Sequence, residues 1–210
     1  MVSRALLGAL IAFVLLAALQ SYLVKAARKR AKHEDSPRDI RLWDLIITSE
    51  DERYSLSRLQ LYLWTIFVII GYVAVCFAGR AFQTIPPNLS LLIGINVAAA
   101  ITSTGIAYWG KVAMQKSTKG PDFVKDIFFE TETSLDLPRT QMFVWTMVSL
   151  TVFTVALVDT IRRGDPMLPE IPKGLVALMG LSQGAYLGTK AATQVEKQKQ
   201  AIKSTDKENS

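Results

Sequence analysis

The chain has 210 residues, half of them hydrophobic and only a fifth charged, with a formal net charge of +6. Its apolar residues are gathered into long blocks instead of being interspersed as a soluble core requires, which excludes an ordinary soluble domain and points to a membrane. The basic excess sits at the ends of those blocks, where it sets topology, so the charge does not argue for a nucleic-acid partner.

A hydrocarbon layer of about 30 Å takes roughly 20 apolar residues in a helix. Five segments meet that length, at about 5–24, 57–78, 89–109, 140–160 and 172–189. The first, "ALLGALIAFVLLAALQSYLV", is followed by "KAARKRAKH", whereas a signal peptide carries its positive charge before the apolar run. Residues 1–35 therefore read as an uncleaved anchor with a basic juxtamembrane segment. If the five segments alternate, 19 of the 24 Lys and Arg fall on one side and five (Arg4, Arg80, Arg162, Arg163 and Lys173) on the other. The positive-inside rule then puts the N-terminus outside and the C-terminus in the cytoplasm of a cell (inner) membrane.

After the anchor, "SPRDIRLWDLII" begins with Ser36 as a helix cap and places Ile40, Trp43 and Ile47 on one side. That pattern suits a short helix lying on the membrane surface or packed on the protein's own cytoplasmic ends. A repeat starts here. "DLIITSE" (44–50) matches "DIFFETE" (126–132), "LSRLQLYLWT" (56–65) matches "LPRTQMFVWT" (137–146), and "IPPNLSLLIG" (85–94) matches "IPKGLVALMG" (171–180). Each copy is an acidic cytoplasmic segment, an outgoing helix, a Pro-containing outer turn and a returning helix. The expected fold is thus an all-α polytopic membrane protein: an anchor helix, short cytoplasmic surface helices and two tandem helical hairpins, 36–110 and 111–190, followed by a polar tail, 191–210. An even number of spans per copy makes the repeats parallel, related by a pseudo-twofold axis along the membrane normal. Ser55 and Asp136 align as N-cap candidates, and Pro138 suits a first helical turn.

The repeated entry motif consists of Arg58, Gln60, Trp64 and Thr65 in one copy and Arg139, Gln141, Trp145 and Thr146 in the other. The arginines either snorkel to the headgroups or pair with acids of a collar that includes Glu50, Glu52, Glu130 and Glu132. Each Gln lies four residues before its Trp and shares a helix face with it, which suggests hydrogen bonds between helices more than a ligand site. On the returning helices, Gly94, Ala98 and Thr102 align with Gly180, Gly184 and Gly188, a spacing that permits close helix packing within a subunit or between subunits. Nearly opposite lies a weakly polar stripe of Asn96, Ser103, Ser182 and Thr189, a candidate pore lining; Gln183 adds an amide beside it.

Catalysis finds no support. One Cys and one His provide no zinc set and no Cys–His pair, phosphate-binding glycine loops are absent, and the acids lack the spacing of a calcium loop. No metal or cofactor is expected. Two functions fit the sequence: a homo-oligomeric channel lined by the returning helices, or a non-conducting scaffold, anchor or signalling subunit that binds a cytoplasmic protein. The partners expected besides other copies and that protein are the bilayer and its anionic lipids.

Overall fold

Long apolar runs without internal proline become helices, because a segment removed from water must satisfy its backbone N–H and C=O groups internally. A computed structural model describes residues 2–33, 54–79, 82–111, 122–129, 135–164 and 167–208. Among them are six helices: α1 (Val2–His33), α2 (Leu56–Gly79), α3 (Pro87–Lys111), α4 (Phe123–Phe128), α5 (Leu137–Arg163) and α6 (Lys173–Glu208). The only β pairing among the described residues is an isolated bridge between Phe129 and Leu135.

Among the described residues, four stretches are long and apolar enough to cross a membrane: Val2–Ala26, Leu56–Gly79, Pro87–Ile106 and Leu137–Arg163. The fifth expected span, 172–189, is the first half of α6 and does not reach that apolarity. Its buried face carries Ser182 and Gln183, and Lys190 follows about two turns later. The side chains that lower its hydropathy are those it turns toward its neighbours.

The ends of the helices follow local chemistry. Asp136 accepts the N–H of Arg139 at 3.1 Å and caps α5, with Pro138 in the first turn. At the aligned position before α2, Ser55 contributes its carbonyl to Leu59 N–H at 3.0 Å, while its buried hydroxyl has no partner. Gly164 ends α5 in the left-handed conformation, φ 81°, which glycine adopts without a Cβ penalty.

The helices form two antiparallel hairpins. Arg58 near the start of α2 reaches Thr104 late in α3, and Arg139 near the start of α5 lies over the Tyr186 ring of α6. The hairpins lie side by side, with α2 against α5 and α3 against α6. Like helices are parallel: Gln60 meets Thr146 and Trp64 meets Phe153, while Asn88 meets Ile171 and Asn96 meets Gln183. In this four-helix ring α2 neighbours α5 and α3 neighbours α6, whereas a half-turn about the ring axis would exchange α2 with α6 and α3 with α5. Outside the ring, α1 runs antiparallel along α2, with Gly8 beside Phe77 and Gln20 bonded to Tyr62.

Two apolar clusters fill the interior. The larger joins Trp64, Val68, Val75, Leu89, Leu92, Phe153, Ile171 and Met179. The smaller joins Leu56, Leu59, Ile127, Met142 and Tyr186 at the end where α2 and α5 begin. The segment leading into α2 is held to that end, since Tyr54 N–H donates to the Asp126 carboxylate of α4 at 3.2 Å.

Candidate functional site: a buried amide layer

Between the two apolar clusters lies a layer of polar side chains, one from each helix of the ring. Gln60 of α2, Asn96 of α3, Thr146 of α5 and Gln183 of α6 are all at most 2% exposed. Their spacing explains the placement. Each sits about one turn from residues of the apolar clusters: Gln60 between Leu56 and Trp64, Asn96 next to Leu92, Thr146 between Met142 and Leu150, Gln183 between Met179 and Tyr186. Burying these apolar residues carries the polar ones inward.

Once inside, the amides must find partners, because an unpaired buried amide costs about 1–3 kcal/mol. The Gln60 amide N–H donates to the Thr146 hydroxyl and to the Met142 carbonyl at 3.3 Å. Thr146 in turn donates to Met142 C=O at 2.8 Å. Gln183 donates to Gln60 Oε1 at 3.2 Å and to Asn96 Oδ1 at 2.8 Å, and Asn96 Nδ2 donates back to Leu92 C=O at 2.8 Å. The network joins all four ring helices. It contains no titratable group, so its chemistry is hydrogen bonding without proton transfer or charge.

The entry-motif residues separate in space. Gln60 and Trp64 are buried, but their counterparts Gln141 and Trp145 are exposed and half-buried; Thr65 is exposed and Thr146 buried. Arg139 pairs with Asp136 at 2.8 Å and donates to the carbonyls of Asp126 and Phe129 at 3.1 and 3.3 Å, locking α4 to α5. Arg58 donates to Thr104 Oγ1 at 3.2 Å, and Lys190 donates to the hydroxyl and carbonyl of Ser103 at 2.8 and 3.2 Å. Two bases thus meet adjacent residues of α3. Glu50, Glu52, Glu130 and Glu132 lie outside the described residues.

On the returning helices, the polar stripe and the small-residue stripe occupy sides other than a pore lining and an internal packing seam would require. Asn96, Ser103 and Ser182 are buried within the chain, and only Thr189 is exposed. Of the small residues, Gly94, Ala98, Thr102, Gly184 and Gly188 face outward, and a Cβ placed on Gly94, Gly184 or Gly188 meets nothing within 4 Å. Gly180 comes nearest to a neighbour, with Ile95 3.6 Å from such a Cβ. The physical reason is the amides: Asn96 and Gln183 are costly against acyl chains, so their side of each helix turns toward the hydrogen bonds that the other helices supply.

Two features of the site were not expected from the sequence. The close approach of α1 to α2 uses Ala5, Gly8 and Ala12, and a Cβ on Gly8 would lie 2.8 Å from Phe77 Cβ and Cγ. The small-residue spacing of "ALLGALIA" signals it. The pairing of Gln60 with Thr146 and Gln183 had no sequence signal beyond the presence of three polar residues in apolar blocks. Outside the layer, a groove of about 660 Å³ opens between α3 and α6, lined by Asn88, Leu91, Ile95, Lys173, Val176 and Gly180 among others. Among the described residues, no three or more His, Cys, Asp or Glu side chains gather where they could hold a metal. No protein family, no curated protein and no solved structure matches the chain.

Proposed function

We propose that the chain is a non-enzymatic, non-conducting membrane module, a scaffold or anchor that presents its cytoplasmic ends to a protein partner. One observation carries this reading: Asn96 and Gln183 of the returning helices are bonded to each other, and Gln183 to Gln60, inside the bundle, and Ser103 and Ser182 are buried there too, leaving only Thr189 of the candidate lining stripe on an outer face. A channel between subunits, the other function that fits the sequence, needs those side chains outside. The partner would meet the end where α4, the lead-in to α2 and the start of α5 are tied together by Asp126 and Arg139.

Within this reading the two hairpins are tandem copies of one unit. Support comes from the helix starts, since Leu56 aligns with Leu137 and Pro87 with Lys173. The first half of α6 forms a fifth span, because it lies parallel to α3 and hydrogen-bonds at the depth of Gln60 and Asn96. The distribution of Lys and Arg then orients the N-terminus outward and the C-terminus to the cytoplasm of the inner membrane, whose anionic lipids attract the basic ends. Self-association through Gly94, Ala98, Gly184 and Gly188 places those residues between copies, since Ala98 is exposed and, among the described residues, nothing lies within 4 Å of a Cβ on the three glycines.

Reconstitution of the full chain in liposomes tests the central claim. No ion flux is expected under voltage or tension. A current that Asn96→Leu abolishes would overturn the module reading and restore the channel.

A further inference from the structure

The amide layer has a fixed direction. Gln60 uses its N–H groups on Thr146 and Met142, and Asn96 uses one on Leu92, so both present oxygens to Gln183. Gln183 must therefore turn its two N–H donors toward them, since the flipped amide would set oxygen against oxygen. Its Oε1 is left pointing elsewhere, buried and without a hydrogen-bond partner.

Two more buried groups, about one turn from the layer along their helices, have none. Trp64 Nε1, on a side chain 0% exposed, and Ser149 Oγ, on a residue equally buried, are both unpartnered. Trp64 lies one turn beyond Gln60 on α2, on the same face. On the parallel helix α5, Ser149 lies between Thr146, which meets Gln60, and Phe153, which meets Trp64 at 6.0 Å between ring centroids. Since Gln60 meets both Thr146 and Gln183, the register of the helices sets the three residues within about one helical turn, roughly 5.4 Å, of one another in height. They comprise an obligate donor, an obligate acceptor and a hydroxyl that does either.

We infer that the layer is a binding site for water, held by Trp64 Nε1–H as donor, Gln183 Oε1 as acceptor and Ser149 Oγ as third partner. Buried waters typically make about three hydrogen bonds to groups that the chain leaves unsatisfied, and this set supplies three. A cation does not fit, because the indole N–H repels it and no carboxylate lies in the layer. The site hydrates the centre of a bundle that is otherwise apolar on both sides of it.

The test uses the full chain in lipid with Trp43, Trp109 and Trp145 replaced by Phe, leaving Trp64 as the only indole. With ¹⁵N-labelled tryptophan, magnetisation transfer from water to the Trp64 indole proton is measured by NMR. Transfer is expected, with loss of at least half its intensity in Ser149→Ala, a substitution small enough to preserve the fold. No transfer in the folded chain overturns the proposal. Transfer that Ser149→Ala and Gln183→Met both leave unchanged overturns the assigned partners.

Discussion

Gln60 and Gln141 occupy the same place in two matching segments, yet one is a centre of the hydrogen-bond network and the other faces outward. Opposite consequences follow for the same substitution. Gln60→Leu removes the donor to the Thr146 hydroxyl and an acceptor of the Gln183 amide and is expected to destabilise the chain by about 1–3 kcal/mol, read as a lower unfolding midpoint in detergent. Gln141→Leu is expected to change that midpoint by no more than about 0.5 kcal/mol. That some amide would be buried was legible in the sequence, since an amide within an apolar block needs a partner. Which glutamine was not, because both satisfy the same spacing rule.

At the scale of elements, the difference between the glutamines is part of a general shift. Buried positions on α2 include Gln60, Trp64, Val68, Gly71 and Val75, and on α5 they include Met142, Thr146, Ser149, Leu150 and Phe153. In the aligned segments these differ mostly by one residue, and α6 is displaced in the same sense from α3, burying Val176 and Met179 where the α3 pattern would give Leu175 and Leu178, and burying Gln183 in addition to Ser182. One residue is about 100° of helix rotation. Hairpins that lie side by side cannot present the same face to each other, and α1 covers α2 but gives α5 far less cover. The α1–α2 seam makes its own prediction. Gly8→Val places its Cβ 2.8 Å from Phe77 and 3.0 Å from the Val73 carbonyl, so a loss of about 1–3 kcal/mol from overpacking is expected, with weaker disulfide crosslinking between cysteines introduced in α1 and α2. Gly184→Leu is free of a clash at its first carbon, since a Cβ on Gly184 meets nothing within 4 Å. It should leave the unfolding midpoint of the monomer within about 0.5 kcal/mol, while lowering self-association in native mass measurements if copies pack through that face.

For the whole molecule, the outward surface carries Leu6, Leu10, Phe13, Ile101, Val155 and Leu181, all at least 60% exposed. Apolar area of that extent on a monomer suits contact with acyl chains. Membrane crossing by α6 gives a further expectation: a cysteine at residue 210 should share its side of the membrane with one at residue 118, as read by an impermeant maleimide in a Cys76→Ser background. Labelling from opposite sides would mean that α6 does not cross.

Helical class, membrane character and the positions where helices begin follow from the sequence alone, because they depend on local quantities: apolar run length, proline, capping residues and the need of each backbone group for a partner along its own helix. The doubled motif is also plain in the residues. Which face of each helix turns inward was decided only in the tertiary structure. The face is chosen by a sum over neighbours, and a single helix has no way to register that its amide will be bonded by Gln183 while its twin's will not. Hence the small and polar stripes could be identified in advance, but not the direction in which either points.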